Sequence, residues 1–412
     1  MRRRRVLTLS ALALSLALVL AACSSNTAAT GNLKLSVTGL PAGAYAAVEV
    51  SNGSYSQTVT STITLGGLVP GTYVIAPQTV TYRQDPFEGT ASSATVSVSG
   101  NNTASDAVTY AAKPANLWVT RGTNGGPAEY LGSSLASGSA QAGTTITGLN
   151  YPYGMAVDAN GNFWVVNFGT DMVLEYSASS VASGHPTTLN SFSPGTNTAA
   201  EGIAFDANGN LWLTNYNDRT VVGYKASTLG SASPTKLSTI TLPSGTGLSP
   251  SNLAFDANGN LWVAEPMNNL FPALASQVVE YTAASLVSAS PATGTVITLN
   301  NNHSDIGLAF DASDNLWLGL YTSVVEYTAA SLASGSPTTG TTINTGTTSN
   351  PLGLAFDVNG NLWVANDYGN SVVEYTASSL AMGSPARGTT IGGTTPIDIT
   401  FDPPPYNLPL SQ

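Results

Sequence analysis

Cysteine occurs once in this 412-residue chain, at Cys23, and histidine twice, at His185 and His303. A single cysteine excludes an internal disulfide framework, so burial of apolar surface must hold any exported domain together. Two histidines leave little room for the imidazole clusters that bind zinc or relay protons. Charged residues are only 8% of the sequence, with 23 Asp and Glu against 12 Lys and Arg. With Arg2 to Arg5 set aside, eight basic residues face the 23 acids, a formal charge of −15. Nucleic-acid binding needs a basic footprint and is excluded on that ground. After the first 22 residues no apolar run reaches 18 residues, so no further segment reads as a membrane-spanning helix. Nucleophile motifs and phosphate-binding loops are absent as well.

What is present begins at the N-terminus. Arg2 to Arg5 precede an apolar stretch from Val6 to Leu20, then Leu20-Ala21-Ala22-Cys23. A charged start, a short apolar core and small residues at a cleavage point read as an export signal. Leu-Ala-Ala-Cys resembles the bacterial lipoprotein box, which implies that Cys23 is acylated and becomes the first mature residue. Each buried methylene adds about 0.8 kcal/mol, so several acyl chains would hold the protein at a membrane of the cell envelope. Residues 1–22 are therefore expected to be a signal peptide and 23–31 an acylated cysteine with a flexible tether.

Residues 32–112 show short alternating strands, for example Leu33-Lys34-Leu35-Ser36-Val37 and Tyr73-Val74-Ile75, separated by turn signals such as Gly39-Leu40-Pro41. About seven strands in this span suggest a small β-sandwich. The stretch GLVPGTYVI resembles Ig-like and carboxypeptidase-regulatory-like modules of bacterial surface proteins, which implies a spacer.

From Trp118 onward one phrase recurs, most cleanly GLAFDVNGNLWVA at 353–365, and all six tryptophans occupy the same point in it. A period of about 45–55 residues built of short strands and tight turns reads as one propeller blade per unit. Asn-Gly between apolar runs predicts a two-residue hairpin whose turn residues both tolerate positive φ. Asp-x-Asn-Gly-Asn lacks the later glutamate of a calcium loop, so the turn reading prevails. The tryptophans are expected to pack between neighbouring blades. Asn116 to Val119 is a second strand with no first strand before it, and Pro396 to Asp402 a first strand with no second after it. Joined, they complete a sixth blade and leave no open edge. The fold class is thus all-β: a six-bladed β-propeller over 113–412, closed by its C-terminal strand, behind an Ig-like sandwich. Tyr151-Pro152-Tyr153-Gly154-Met155-Ala156-Val157-Asp158 and the matching stretch from Asn350 to Asp357 resemble the NHL-type repeat and the streptogramin-lyase-like propellers. That resemblance spans about 300 residues and bears on architecture more than on activity.

Strand direction separates two rims. The Asp-Asn-Gly turns lie on one; the other carries the starts of first strands, with Tyr153, Glu201, Asn252, Asp305 and Asp398, and the ends of second strands, with Arg121, Asn167, Asn215, Glu265 and Asn366. Carboxylates and amides around a mouth suit a hard cation or a hydroxylated ligand, or they simply solvate the mouth and cap strand ends. Gluconolactonase-like propellers hold a divalent metal with Glu, Asn and Asp, and the likeness implies that role for Glu201, Asn252 and Asp398, with calcium or another divalent cation as cofactor. Streptogramin lyases use a histidine base, for which His303 is the candidate beside this rim. The expectation is a lipid-anchored propeller that binds a protein, glycan or small molecule through Arg121, Asn167, Asn215, Glu265 and Asn366. The alternative is a metal-dependent lyase or lactonase at the same mouth.

Overall fold

The computed structural model describes residues 29–82, 85–122, 125–243, 246–267, 275–288, 291–299 and 305–405, which fold as two compact units built mainly of strands. Cys23 and His303 lie outside the described residues.

In the first unit, Gly31–Thr38 runs antiparallel to Ile63–Leu68 and parallel to Thr103–Ala112. A second sheet orders Tyr55–Val59, Val48–Asn52, Gly71–Pro77 and Thr95–Val98. Leu33, Leu35, Val48, Val50, Tyr73 and Ile75 alternate with more exposed neighbours and are at most 3% exposed, so the period-two pattern sets which face is buried. Tyr55–Val59 and the hairpin of Val80–Tyr82 with Asp85–Ala91 had no clear sequence signal. The former is an edge strand with mostly exposed side chains, and the latter carries Pro86 and Gly89, which mask a strand.

In the second unit, the described residues form six four-stranded sheets between Asn116 and Asp402. Five take their strands in chain order, as in Pro351–Phe356, Leu362–Asn366, Ser371–Tyr375 and Arg387–Gly392. The sixth unites Asn116–Arg121, Ala128–Tyr130 and Ala142–Thr145 with Pro396–Asp402. Leu117 pairs with Phe401, Trp118 with Thr400 and Val119 with Ile399, all antiparallel.

The hairpin turn differs from the two-residue form expected. Gly161 N–H donates to the Asp158 carbonyl and only Gly161 adopts positive φ, at 77°, so the loop is a four-residue turn closed by a left-handed glycine. Its conformation is set by Asp158. One carboxylate oxygen accepts from Asn160 N–H and Asn162 N–H, at 2.8 and 2.9 Å; the other accepts from Asn162 Nδ2 and Trp164 Nε1, at 3.1 and 3.2 Å. Asn160 thus serves the aspartate through its backbone N–H and not as a left-handed residue, and Asn162 through its side chain. Asp206, Asp256, Asp311 and Asp357 repeat the arrangement, and Asp314 takes the glycine position at φ 62°.

The indole that this aspartate holds also packs the sheets together. Trp164, Trp212, Trp262, Trp317 and Trp363 meet the first-strand phenylalanine of the following sheet edge-on, at centroid distances of 5.9 to 6.2 Å. Trp363 reaches Phe401, on the strand that completes the sheet of Trp118. Where the repeat offers Val157 in place of phenylalanine, Trp118 packs on Phe163 at 4.8 Å instead. Edge-to-face contact aligns the positive ring edge with the neighbouring π-face, so the inter-sheet angle is fixed by orientation as well as by burial.

Candidate functional site

First strands of successive sheets approach one another closely. A Cβ on Gly154 would run into the Glu201 carbonyl, and one on Gly353 into the Asp398 backbone. The glycines let the strand starts converge on one cavity, lined by Tyr153, Glu201, Asn252, Asp305, Ile397 and Asp398, with Ser251, Ile306 and Leu352 also on its wall. The cavity is small, about 30 Å³, and opens to solvent. Glu201, Asn252 and Asp398 are therefore brought to one place, together with Tyr153 and Asp305.

Burial dominates the electrostatics. Glu201 is only 7% exposed, its Oε2 has no hydrogen-bond partner, and burial, then the neighbouring Asp305, holds its carboxyl well above the usual range. Burial pushes Asp398 up to about 6, against the pull of a hydrogen bond from Met155 N–H to Oδ2 at 3.0 Å. Burial likewise raises Tyr153 and Tyr216, and both feel Asp305 and Glu201. Ser251 Oγ, also on the cavity wall, is buried without a partner. None of the lining residues is Lys, Arg or His.

The second-strand residues do not line the cavity; each makes a hydrogen bond within its own sheet or loop, although Asn215 Oδ1 and Asn366 Oδ1 are buried without a partner. Arg121 donates to the carbonyls of Gly125 and Gly126 at 2.7 and 2.9 Å, and Asn167 Oδ1 accepts from Asn150 N–H at 2.7 Å. Asn215 donates to Thr220 Oγ1 at 3.2 Å and Asn366 to the Val364 carbonyl at 3.3 Å. Glu265 accepts from Gln277 and Tyr281, which partly offset the upward push of burial on its carboxyl. The residue at a strand end points along its own hairpin, whereas the residue at a strand start faces the axis.

An aromatic set around the cavity escaped the sequence reading. Phe168, Tyr216, Tyr321 and Tyr368 each stand one or two residues after a second strand, a regularity visible in the repeats. Tyr153 stacks on Phe168 at 5.2 Å, and Tyr321 meets Tyr368 at 6.2 Å. Tyr368 is 61% exposed and Tyr321 44%. Burial and then Asp367 raise the Tyr368 hydroxyl, and Asp305 adds to it.

The proposed metal trio has engaged oxygens. Asn252 Oδ1 accepts from Leu253 N–H at 3.0 Å, and Asp398 Oδ2 from Met155 N–H. Among the described residues no group of three or more His, Cys, Asp or Glu is placed to hold a metal ion.

No protein-family model matches the sequence, and no curated protein matches it. Solved structures do. A candidate 6-phosphogluconolactonase of Bacteroides fragilis superimposes with a TM-score of 0.50 at 13% identity, over 70% of this chain and 98% of that one. A streptogramin B lyase matches at 0.49 with 14% identity, over 72% and 88%. Regucalcin of Agrobacterium tumefaciens, a calcium-binding protein, matches at 0.41 with 18% identity, over 57% and 73%. At these identities the likeness is one of fold, and the fold of the repeat region is a β-propeller.

Proposed function

We propose that this is a lipid-anchored protein of the cell envelope whose six-bladed propeller, carried behind an Ig-like sandwich, binds a ligand at the axial cavity. Six four-stranded sheets, and tryptophan contacts that run from each to the next, support the closed ring. The observation that carries the binding reading is Glu201. A carboxyl group 7% exposed with an unpartnered oxygen costs stability unless something is there to meet it. Natural proteins keep such groups where a ligand repays the cost.

The test is a thermal-shift screen of neutral, anionic and cationic small molecules against wild type and Glu201→Gln. A class of compound that raises the melting temperature of wild type and not of the variant is the expected result. If no compound separates the two proteins, the cavity is not a binding site. Anchoring is tested separately: Cys23→Ser should move the protein from the membrane fraction to the soluble one.

A metal-dependent lyase or lactonase is the second reading, favoured by Asp398 alone: a carboxyl group held at about 6 is poised for proton transfer near neutral pH. The trio Glu201, Asn252 and Asp398 fits calcium poorly, because that ion takes six to eight oxygens and two of the three side chains already spend an oxygen on backbone N–H groups.

A further inference from the structure

We propose that the cavity takes a small organic cation, an ammonium or guanidinium group on an apolar body; this rests on the cavity's being the binding site. Among the described residues the charged groups on its wall are Glu201, Asp305 and Asp398, all acids, with no Lys, Arg or His. Glu201 is 93% buried by its 7% exposure and presents an oxygen without a partner. Carboxylates crowded into a poorly solvated site repel one another, and a cation removes that repulsion while donating N–H bonds to the free oxygen.

Three further features separate an organic cation from a bare metal ion. The acids come from different segments around the cavity, and among the described residues no three of them are placed to share one ion. The wall between them carries Ile306, Leu352 and Ile397 beside Ser251 and Asn252, which suits a hydrocarbon body that also bears a polar head. Finally, tyrosines stand near the acids: Tyr153 is on the cavity wall and stacks on Phe168, and burial, the main cause of the raised hydroxyls of Tyr153, Tyr216 and Tyr368, is reinforced at all three by the Asp305 charge. A cation over tyrosine faces, with carboxylates beside it, is stabilised by ring quadrupole and formal charge together. A neutral sugar could donate hydroxyls to the acids but would leave their charge uncompensated; an anion would meet repulsion from every charged group on the described wall.

Isothermal titration of the full chain with phenethylammonium chloride, and with its neutral isostere 2-phenylethanol, tests the assignment. The amine should bind one per chain and the alcohol about 30-fold more weakly or worse, the loss seen when one member of a buried charged pair is removed. Glu201→Gln should weaken the amine by a similar factor, while Tyr368→Ala should weaken it about 2- to 5-fold. Melting curves of both variants show whether the fold is retained; Tyr368 is exposed, so its variant keeps the test usable if Glu201→Gln does not fold. Equal binding of amine and alcohol overturns the cation, as does no amine binding at about 10 mM, well beyond the micromolar-to-millimolar range of weak sites. Stronger binding of calcium than of the amine at the same residues also overturns it. A neutral ligand that depends on Glu201 while the amine fails would sink the cation and leave the binding site standing. Preference for the peptide Ala-Lys-Ala over the free amine would overturn the small molecule in favour of a partner's side chain.

Discussion

The two ends of the propeller sheets obey different rules. At the turn end, five aspartates make the same four hydrogen bonds, two from backbone N–H groups, one from an asparagine amide and one from a tryptophan indole. At the axial end no such repetition exists: the corresponding strand starts offer Tyr153, Glu201, Asn252, Asp305, Leu352 and Asp398. Repetition at one end gives each of the five aspartates and its indole a partner. Variety at the other leaves Glu201 Oε2 and Ser251 Oγ buried and without partners. The same scaffold therefore repeats one set of bonds at the turn end and varies its side chains at the other. The sheet of Trp118 is intermediate, since its indole is buried and lacks the aspartate bond found in the other five.

That division can be broken experimentally. The largest effect should come from deleting residues 396–412, which uncovers the edge of Asn116–Arg121 and its buried Leu117 and Val119. Aggregation on expression is expected; a soluble product with unchanged melting temperature would contradict the pairing's importance. Next comes the turn end. Trp212→Ala removes a fully buried indole that packs on Phe255, and urea denaturation should show a loss of about 3–5 kcal/mol. Asp206→Ala should cost less, about 1–3 kcal/mol, by leaving Trp212 Nε1 and the turn N–H groups unmet.

The axial end should respond with the opposite sign. Asp398 is held at about 6, above its ordinary 3.8, so the folded protein retains a proton between those values that the unfolded chain has released. Its favourable contribution is complete below the lower value and is lost as pH rises through the upper one. Asp398→Asn should therefore stabilise the protein by up to about 3 kcal/mol at pH 7.5 and by nothing at pH 3, compared in urea melts at the two values. Tyr321→Ala, at an exposed position, should lie within about 0.5 kcal/mol of wild type at any pH.

The repeats made the turn end legible because five nearly identical copies of one phrase share the same local bonds. What the asparagine and aspartate do there was not legible: a two-residue turn and a carboxylate-organised turn have the same letters, and only the glycine φ and the indole bond separate them. At the axial end, rim height alone gathered Glu201, Asn252, Asp305 and Asp398 correctly around one cavity. It failed to separate strand starts from strand ends. Asn167 and Asn215 share the rim with Glu201 but spend their amides on local partners, which no spacing rule reveals. The aromatic positions were missed because Phe168, Tyr216 and Tyr368 fall just outside the aligned phrase.

One consequence follows from the strand that completes the sheet of Trp118. Thr120 Oγ1 and Asp398 N–H, 278 residues apart in the chain, are hydrogen-bonded at 2.9 Å, and Asp398 also forms part of the cavity wall. Contacts so distant in sequence are made late in folding. The cavity wall is consequently unfinished until the last strand docks. Under the proposed function a bound molecule would latch that docking, so a protease assay with and without such a ligand should show slower cleavage from the C-terminal side when it is bound.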